Sequence, residues 1–140
     1  MVEKIVEKTG IETVIHDQET FAIIIRASYS EEGISFLTPN DFPQQLGYMN
    51  RPAGHLIEPH IHKQRNDYVH LTNETLFIRS GKVRVDFYTQ NKEYFDSRII
   101  KTGDVILLAQ GGHGFEILEP SQIIEVKQGP YNAEADKERF

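Results

Sequence analysis

Four side chains of this sequence are well suited to binding a metal ion. Two of them are histidines with a single residue between them, and the others are a glutamate and a third histidine. They are His60 and His62, Glu74 and His113. Side chains at i and i+2 of an extended strand point to the same face, so the first two imidazoles would stand about 6.5 Å apart at their backbones. Three neutral imidazoles and one carboxylate suit a divalent first-row transition metal. We therefore predict one metal site at these four residues, which only a folded sheet could bring together.

The composition of the 140-residue chain narrows the kinds of protein it can be. Its length indicates a single domain over residues 1–140 with a core of its own. The chain has no cysteine, which excludes thiolate metal sites and thiol chemistry. A net charge of -6 and scattered basic residues argue against a nucleic-acid partner. Residues 1–12 are charged and lack an apolar run, which predicts no signal peptide, no membrane partner and a cytoplasmic location.

Short apolar runs separated by turn residues predict that β-strands position the ligands. Phe21–Ile25 is rich in β-branched residues, and residues 82–88 alternate between apolar and polar. Ser80-Gly81 predicts a hairpin turn before that second run, whereas the turn signals of residues 29–43 predict irregular structure. Further strands are predicted at residues 46–50, 94–100, 104–108, 114–118 and 122–127. With no long amphipathic helix, the pattern predicts an all-β sandwich or barrel of antiparallel strands.

The spacing around the predicted ligands resembles the first motif of the cupin superfamily. That motif has a glycine, five residues, His-x-His, a glutamate and, after six more residues, a second glycine. Its residues are matched here by Gly54, His60, His62, Glu74 and Gly81. Eleven residues separate His62 from Glu74, where the family has three or four. This segment, Lys63–Asn73, is expected to be a long loop that shapes access for a polar or anionic ligand, with a tolerated surface insertion as the equal alternative.

The second cupin motif is matched in part. Gly103 and the five residues after it fit the start of the motif, but Ala109 stands where the family has proline. His113 comes one residue earlier than the family's histidine. The resemblance covers residues 54 to about 127, which is over half of the chain, and leaves residues 131–140 as a charged tail, either a short helix or a flexible end.

The resemblance implies a fold and a range of activities. Cupins are antiparallel double-stranded β-helix (jelly-roll) barrels that hold a metal inside, and they include dioxygenases, isomerases, epimerases and decarboxylases. It implies a metal-dependent enzyme, of oxygenase or isomerase type, that acts on a small polar metabolite such as a sugar or a carboxylate. The cofactor would be one divalent ion of Fe, Mn, Ni, Zn, Co or Cu. The sequence does not determine which of these metals is bound, and it identifies no catalytic residue beyond the four predicted ligands.

Two other functions stay open. Some cupins that act on nucleotide-linked sugars in surface-polysaccharide biosynthesis work as isomerases or epimerases without metal, and His60 or His62 would then be a general base beside a tyrosine. The other is a non-catalytic module that binds or senses a small ligand. Side chains that could contact a substrate, none of them assigned a catalytic role, are Tyr48, Arg51, Arg79, Tyr88, Glu125 and Lys127.

A homodimer is the predicted assembly. Phe21–Ile25 is apolar on both faces, which a solvent-facing edge strand would not be. Its own barrel or a partner could cover it, and cupins commonly pair through such N-terminal strands.

Overall fold

The computed structural model describes residues 9–60, 62–63, 72–129 and 138–140. These residues form β-strands and no helix, so the predicted all-β class is confirmed, and they contain no apolar helix long enough to cross a membrane. In chain order the strands are β1 (Ile11–His16), β2 (Glu19–Ile25), β3 (Gly33–Phe36), β4 (Gly47–Asn50), β5 (Glu74–Tyr88), β6 (Tyr94–Lys101), β7 (Val105–Leu108) and β8 (Gly112–Lys127).

The chain divides into two compact units. The larger unit comprises the described residues of 1–29 and 71–140 and contains β1, β2 and β5 to β8. The smaller unit comprises those of 30–70 and contains β3 and β4. A single domain over residues 1–140 stays a prediction. The predictions for residues 1–8, for most of the long loop (64–71) and for most of the tail (130–137) fall outside the described residues.

A six-stranded antiparallel sheet curls into a half-barrel in the larger unit. Its order is β1-β2-β7-β5-β6, and β8 pairs with β5 from end to end. One apolar cluster fills the inside of this curl and holds the sheet together by burial of its side chains. Its members are Val14, Phe21, Ala22, Ile24, Leu76, Ile78, Val83, Val85, Phe87, Ile100, Ile106 and Leu108.

The strand β2 is buried on both faces. Phe21, Ala22, Ile23 and Ile24 are all buried, and β2 lies between β1 and β7 in the sheet. A strand inside a sheet with both faces covered reads as a continuous apolar run, which explains the pattern without a partner chain. The homodimer therefore stays a prediction, and this run no longer supports it.

The predicted hairpin at Ser80-Gly81 is wrong. The chain continues through this point as one 15-residue strand, β5, and its register against β8 shifts between Ile78 and Val83. Irregularities of this kind bend a strand and change which residues face the core. The buried side chains accordingly switch from even to odd positions: Leu76 and Ile78, then Val83, Val85 and Phe87. The predicted alternation over residues 82–88 is confirmed.

Asp104, in the turn between β6 and β7, accepts hydrogen bonds that connect several segments of the larger unit. Its Oδ1 accepts a hydrogen bond from the Ala27 amide at 2.9 Å, and its Oδ2 accepts one from the Lys101 amide at 2.8 Å. The Arg26 guanidinium donates to the same Oδ2 at 2.9 Å and to the Ile99 carbonyl at 2.6 Å. Asp104 is only 4% exposed, so these bonds compensate the burial of its charge.

The smaller unit is built on the hairpin of β3 and β4. Its connection is organised by Gln45, whose Nε2 donates to the Pro39 and Phe42 carbonyls at 2.9 Å each. Thr38 Oγ1 donates to Gln45 Oε1 at 2.6 Å and accepts from the Leu46 amide at 3.1 Å. The strand predicted at residues 46–50 is confirmed as β4, while β3 lies in a segment predicted to be irregular.

Candidate functional site

Glu74 begins β5 on the buried face of that strand. Leu76 and Ile78 share this face and are buried, as the sequence pattern predicts. The Glu74 side chain is 17% exposed, so its carboxylate needs a polar partner.

His113 supplies that partner from the start of β8. In the β5–β8 register His113 lies beside the buried Phe87. Its neighbours on the same face of β8, Phe115 and Ile117, pair with the buried Val85 and Val83 but are themselves exposed. The Nε2 atom of His113 is 3.1 Å from Oε2 of Glu74, and the His113 side chain is 27% exposed. The structure thus brings together two of the four predicted ligands, which are 39 positions apart in the sequence.

The contact depends on the bend of β5. Glu74 is at one end of this 15-residue strand, and Phe87, the register partner of His113, is near the other. A straight strand of that length would span about 46 Å, far beyond the reach of two side chains. The irregularity between Ile78 and Val83 folds both halves of the β5–β8 pair toward each other. A local defect in the ladder therefore creates the Glu74–His113 contact.

Charges around Glu74 favour its ionised form. The hydrogen bond with His113 lowers the pKa of the Glu74 carboxyl below its usual value, although burial acts in the opposite direction. Glu125 forms a hydrogen bond with the same carboxyl, and the positive charge of Lys127 also lowers this pKa. Lys127 Nζ lies 4.0 Å from Glu74 Oε1. The end of the sheet therefore holds two carboxyl groups, one imidazole and one ammonium.

His60 and His62 belong to the smaller unit, where their rings lie close together. The ring centroids are 5.3 Å apart and the ring planes cross at 76°. Neither residue lies in a strand, so the extended strand predicted for them is not found. His60 Nδ1 is 2.9 Å from the Glu58 carbonyl oxygen, an acceptor that can only pair with a protonated nitrogen. In a neutral imidazole this bond places the proton on Nδ1 and leaves the Nε2 lone pair of His60 available to a ligand.

The four predicted ligands thus form two pairs, one in each unit, and their convergence on one ion stays a prediction. Within either unit, the described residues include no group of three or more histidines and acidic residues close enough to hold a metal.

Lys127 and Glu125, which the sequence suggested only as possible substrate contacts, lie beside Glu74 in the structure. Their spacing of two positions shows from the sequence that they share a strand face. That Lys127 pairs with Glu74, and Glu125 with Leu76, depends on the β5–β8 register. Gly103 and Asp104, which resemble the start of the second cupin motif, have a structural role here. A Cβ on Gly103 would lie 2.8 Å from the Cβ of Ala27, so a glycine allows these two segments to pack closely. The hydrogen bond from the Ala27 amide to Asp104 holds the same two segments together.

The chain was compared with models of protein families, with curated proteins and with solved structures, and none of the three comparisons found a match.

Proposed function

We propose that this chain is a metal-binding cupin, with an antiparallel double-stranded β-helix barrel, and a metal-dependent enzyme that acts on a small polar metabolite. The observation that carries the proposal is the contact between Glu74 and His113. A carboxylate and an imidazole from distant parts of the chain meet on the inner face of the curled sheet, at 3.1 Å. Half-buried titratable groups brought together in this way mark candidate functional sites.

The two donor atoms are spaced as one ion requires. Ligands bound at about 2.1 Å in adjacent positions of an octahedral or tetrahedral ion lie roughly 3.0–3.4 Å from each other. The distance between Glu74 Oε2 and His113 Nε2 falls within this range. Their hydrogen-bond proton would leave when the metal binds, because imidazole coordinates through a deprotonated nitrogen.

The second pair of ligands fits the same chemistry. The Glu58 carbonyl fixes the ring of His60 with Nε2 unprotonated, which is the usual outer-shell arrangement of a metal-binding histidine. His62 lies beside it at a ring distance that allows both nitrogens to face one point. We propose that His60, His62, Glu74 and His113 together hold one divalent ion of Mn, Fe, Co, Ni, Cu or Zn.

The bound ion would polarise a carbonyl or hydroxyl group of the substrate, or bind dioxygen if it is iron. The protein's own residues would orient the reaction around it. Glu74 and His113 would present their donor atoms from a rigid sheet, while burial beside Leu76 and Ile78 would exclude water on that side. Oxygenase and isomerase chemistry are both compatible with this arrangement.

A metal-free isomerase or epimerase is the second candidate. Its support is the same contact: a carboxylate that orients an imidazole is also a common arrangement for a general base. In this case His113, held by Glu74, would abstract the proton, in place of the base at His60 or His62 that the sequence suggested. A non-catalytic binding module would use the same groups without turnover.

Metal content separates these functions. The protein would be produced in medium supplemented with Mn, Fe, Co, Ni, Cu and Zn, and its metal measured by elemental analysis. We expect about one ion per chain in the wild type, and less than a tenth of that in Glu74→Gln, in His113→Ala and in the double variant His60→Ala with His62→Ala. The matched control is His55→Ala, an exposed histidine of the same unit as His60. If the wild type converts its substrate without bound metal, the metal-dependent enzyme is contradicted and the metal-free isomerase or epimerase is favoured.

A further inference from the structure

Residues 138–140 contact the sheet at the point where β8 begins. The Phe140 ring meets the Tyr88 ring edge to face, with the ring centroids 5.1 Å apart and the ring planes at 88°. A Cβ on Gly112 would lie 2.7 Å from Cζ of Phe140, so the ring occupies the space that a side chain at this position would need. Tyr88 and Gly112 are partners in the β5–β8 register, and Phe140 therefore packs across both strands.

Phe140 packs on the face of the sheet opposite to the core. Phe87 is buried in the core and is the register partner of His113. Successive residues of a strand point to opposite faces, so Tyr88 and Gly112, each next to one of these two residues, belong to the other face. Phe140 therefore lies behind His113, on the side of β8 away from the core.

Glycines on both sides of His113 make room for the aromatic rings. Gly112 and Gly114 leave this stretch of the outer face of β8 without side chains. The Tyr88 ring extends toward Gly114, where an added Cβ would lie at an ordinary contact distance of 3.8 Å from Cε2 of Tyr88. The two glycines thus have a packing role that is separate from the chemistry of the imidazole.

An ion pair forms the second contact of this segment. Oε1 of Glu138 lies 2.6 Å from Nζ of Lys92. Lys92 is in the turn between β5 and β6, where its amide donates to the Thr89 carbonyl at 2.9 Å. The same ammonium is 6.0 Å from the centre of the Phe140 ring, at the outer limit of a cation–π interaction. Residues 138–140 thus join the turn after β5 to the beginning of β8.

Both contacts are weak enough to break and form again at equilibrium. The side chains of Lys92 and Glu138 are 45% and 76% exposed, and Phe140 is 63% exposed. Ion pairs between exposed side chains contribute little to stability and are screened by salt. Among the described strands β8 pairs with β5 alone, so its beginning is hydrogen-bonded to a neighbour on one side. A strand end of this kind opens locally at a small free-energy cost, which a contact made there raises directly.

We propose that residues 138–140 are a releasable clamp on the beginning of β8. When docked, they hold this end of the strand against β5; when released, they allow it to open locally. His113 lies in the clamped stretch, so the clamp controls how firmly its imidazole is held, from the opposite face of the strand. The clamp requires no bound metal and is independent of the proposed function.

Amide hydrogen exchange tests the clamp, because it measures local opening residue by residue. We expect Phe140→Ala to lower the protection of the amides of residues 112–116 about fivefold, as the loss of one edge-to-face aromatic pair implies. Lys92→Gln, which removes the ion pair, should lower it by about twofold. The control is Arg139→Ala, an exposed neighbour in the same segment, which should change nothing. Residues 122–127, at the other end of β8, should keep their protection in all three variants.

Two results of this experiment would overturn the proposal. One is protection of residues 112–116 in Phe140→Ala within about 1.5-fold of the wild type, because the ring would then not restrain the strand. The other is an equal loss at residues 122–127, because the variant would then destabilise the whole unit rather than release a local clamp.

Two glycine variants test the docking without a change in residues 138–140. Gly112→Ala should displace the Phe140 ring and lower the protection of residues 113–116, whereas Gly114→Ala, whose Cβ meets Tyr88 at an ordinary contact distance, should lower it by less than about twofold. Because Gly112→Ala and Phe140→Ala remove the same contact, the losses in the double variant should be smaller than the sum of the two. Losses that add in full would overturn the clamp.

Discussion

Gly81 of β5 packs so closely against Ser121 of β8 that no side chain fits between them. A Cβ on Gly81 would lie 2.1 Å from Ser121 Oγ and 2.6 Å from the Pro120 carbonyl oxygen. Gly81 also has a φ of +106°, a conformation that side chains disfavour. This close approach lies where the β5–β8 register shifts, so it accompanies the bend that brings Glu74 to His113.

Replacement of Gly81 by alanine should therefore damage both the stability and the site. We expect Gly81→Ala to lower the free energy of unfolding by more than about 3 kcal/mol, because it combines a backbone clash with a disfavoured φ. Gly54→Ala is the matched control: its φ is +87° but nothing lies within 4 Å of the added Cβ, so it should cost about 1 kcal/mol. Urea denaturation measures both. Equal losses in the two variants would contradict the bend described here.

The Asp104 network predicts a second large effect on stability. Asp104→Asn replaces one acceptor oxygen by an NH2 group, which would face the donors of Ala27, Lys101 or Arg26. A buried donor without an acceptor costs about 1–3 kcal/mol, and the loss of the negative charge beside Arg26 adds to it, so we expect a total of roughly 3 kcal/mol by urea denaturation. Asp17→Asn is the control, since the Asp17 side chain is 91% exposed and its φ of 48° suits asparagine. A change below 1 kcal/mol in Asp104→Asn would show that the network contributes little.

We expect the Asp86 carboxyl to cause part of the loss of stability of the larger unit at acidic pH. Its pKa is lowered, first by the hydrogen bonds from Arg84 and then by the one from Ser97, against the effect of burial. Because the folded pKa lies below the ordinary value of 3.8, this contribution to stability is present above that pH and is lost as the pH falls through the folded pKa. Asp86→Asn removes the titration.

The free energy of unfolding should consequently fall less steeply in Asp86→Asn than in the wild type between about pH 5 and pH 2. Ser97→Ala, which removes one donor at 2.6 Å, should give an intermediate slope. Thermal or urea unfolding across this pH range measures the slopes. Parallel curves for the wild type and Asp86→Asn would exclude the carboxyl as a source of acid sensitivity.

The long segment between His62 and Glu74 gives a prediction that rests on the sequence alone. Replacement of residues 64–71 by a short Gly-Ser turn should preserve folding and metal content, since loop length has a small thermodynamic cost. It should change the affinity of the metal-loaded protein for a small chelating anion such as oxalate severalfold if the segment shapes access to the metal. Isothermal titration calorimetry measures the change, and unaltered affinity would make the segment a tolerated insertion.

Local pattern in the sequence predicts much of the fold. The continuous apolar run of β2 and the alternation in residues 82–88 were sufficient, because each pattern matches the burial of its strand residue by residue. The strand predicted at residues 46–50 is also found, as β4, although most of its residues are exposed. The pattern did not predict β1, where Val14 alone is fully buried, or the turn after it. That turn holds Asp17 and Gln18 at positive φ without a glycine, and so lacks the usual signal of a tight hairpin.

For the candidate site, the sequence alone determined which residues can bind a metal and which strand face Glu74 and His113 occupy. Residue type sets the donor atoms, and the two-residue period of a strand sets the face. Only the tertiary structure decided that Glu74 meets His113 and that Lys127 lies beside them. A passage such as Ser80-Gly81 reads equally as a hairpin turn or as a bend within one strand, and local residues cannot choose between the two. The pairing of β5 with β8 makes the choice, because it forms between residues far apart in the sequence.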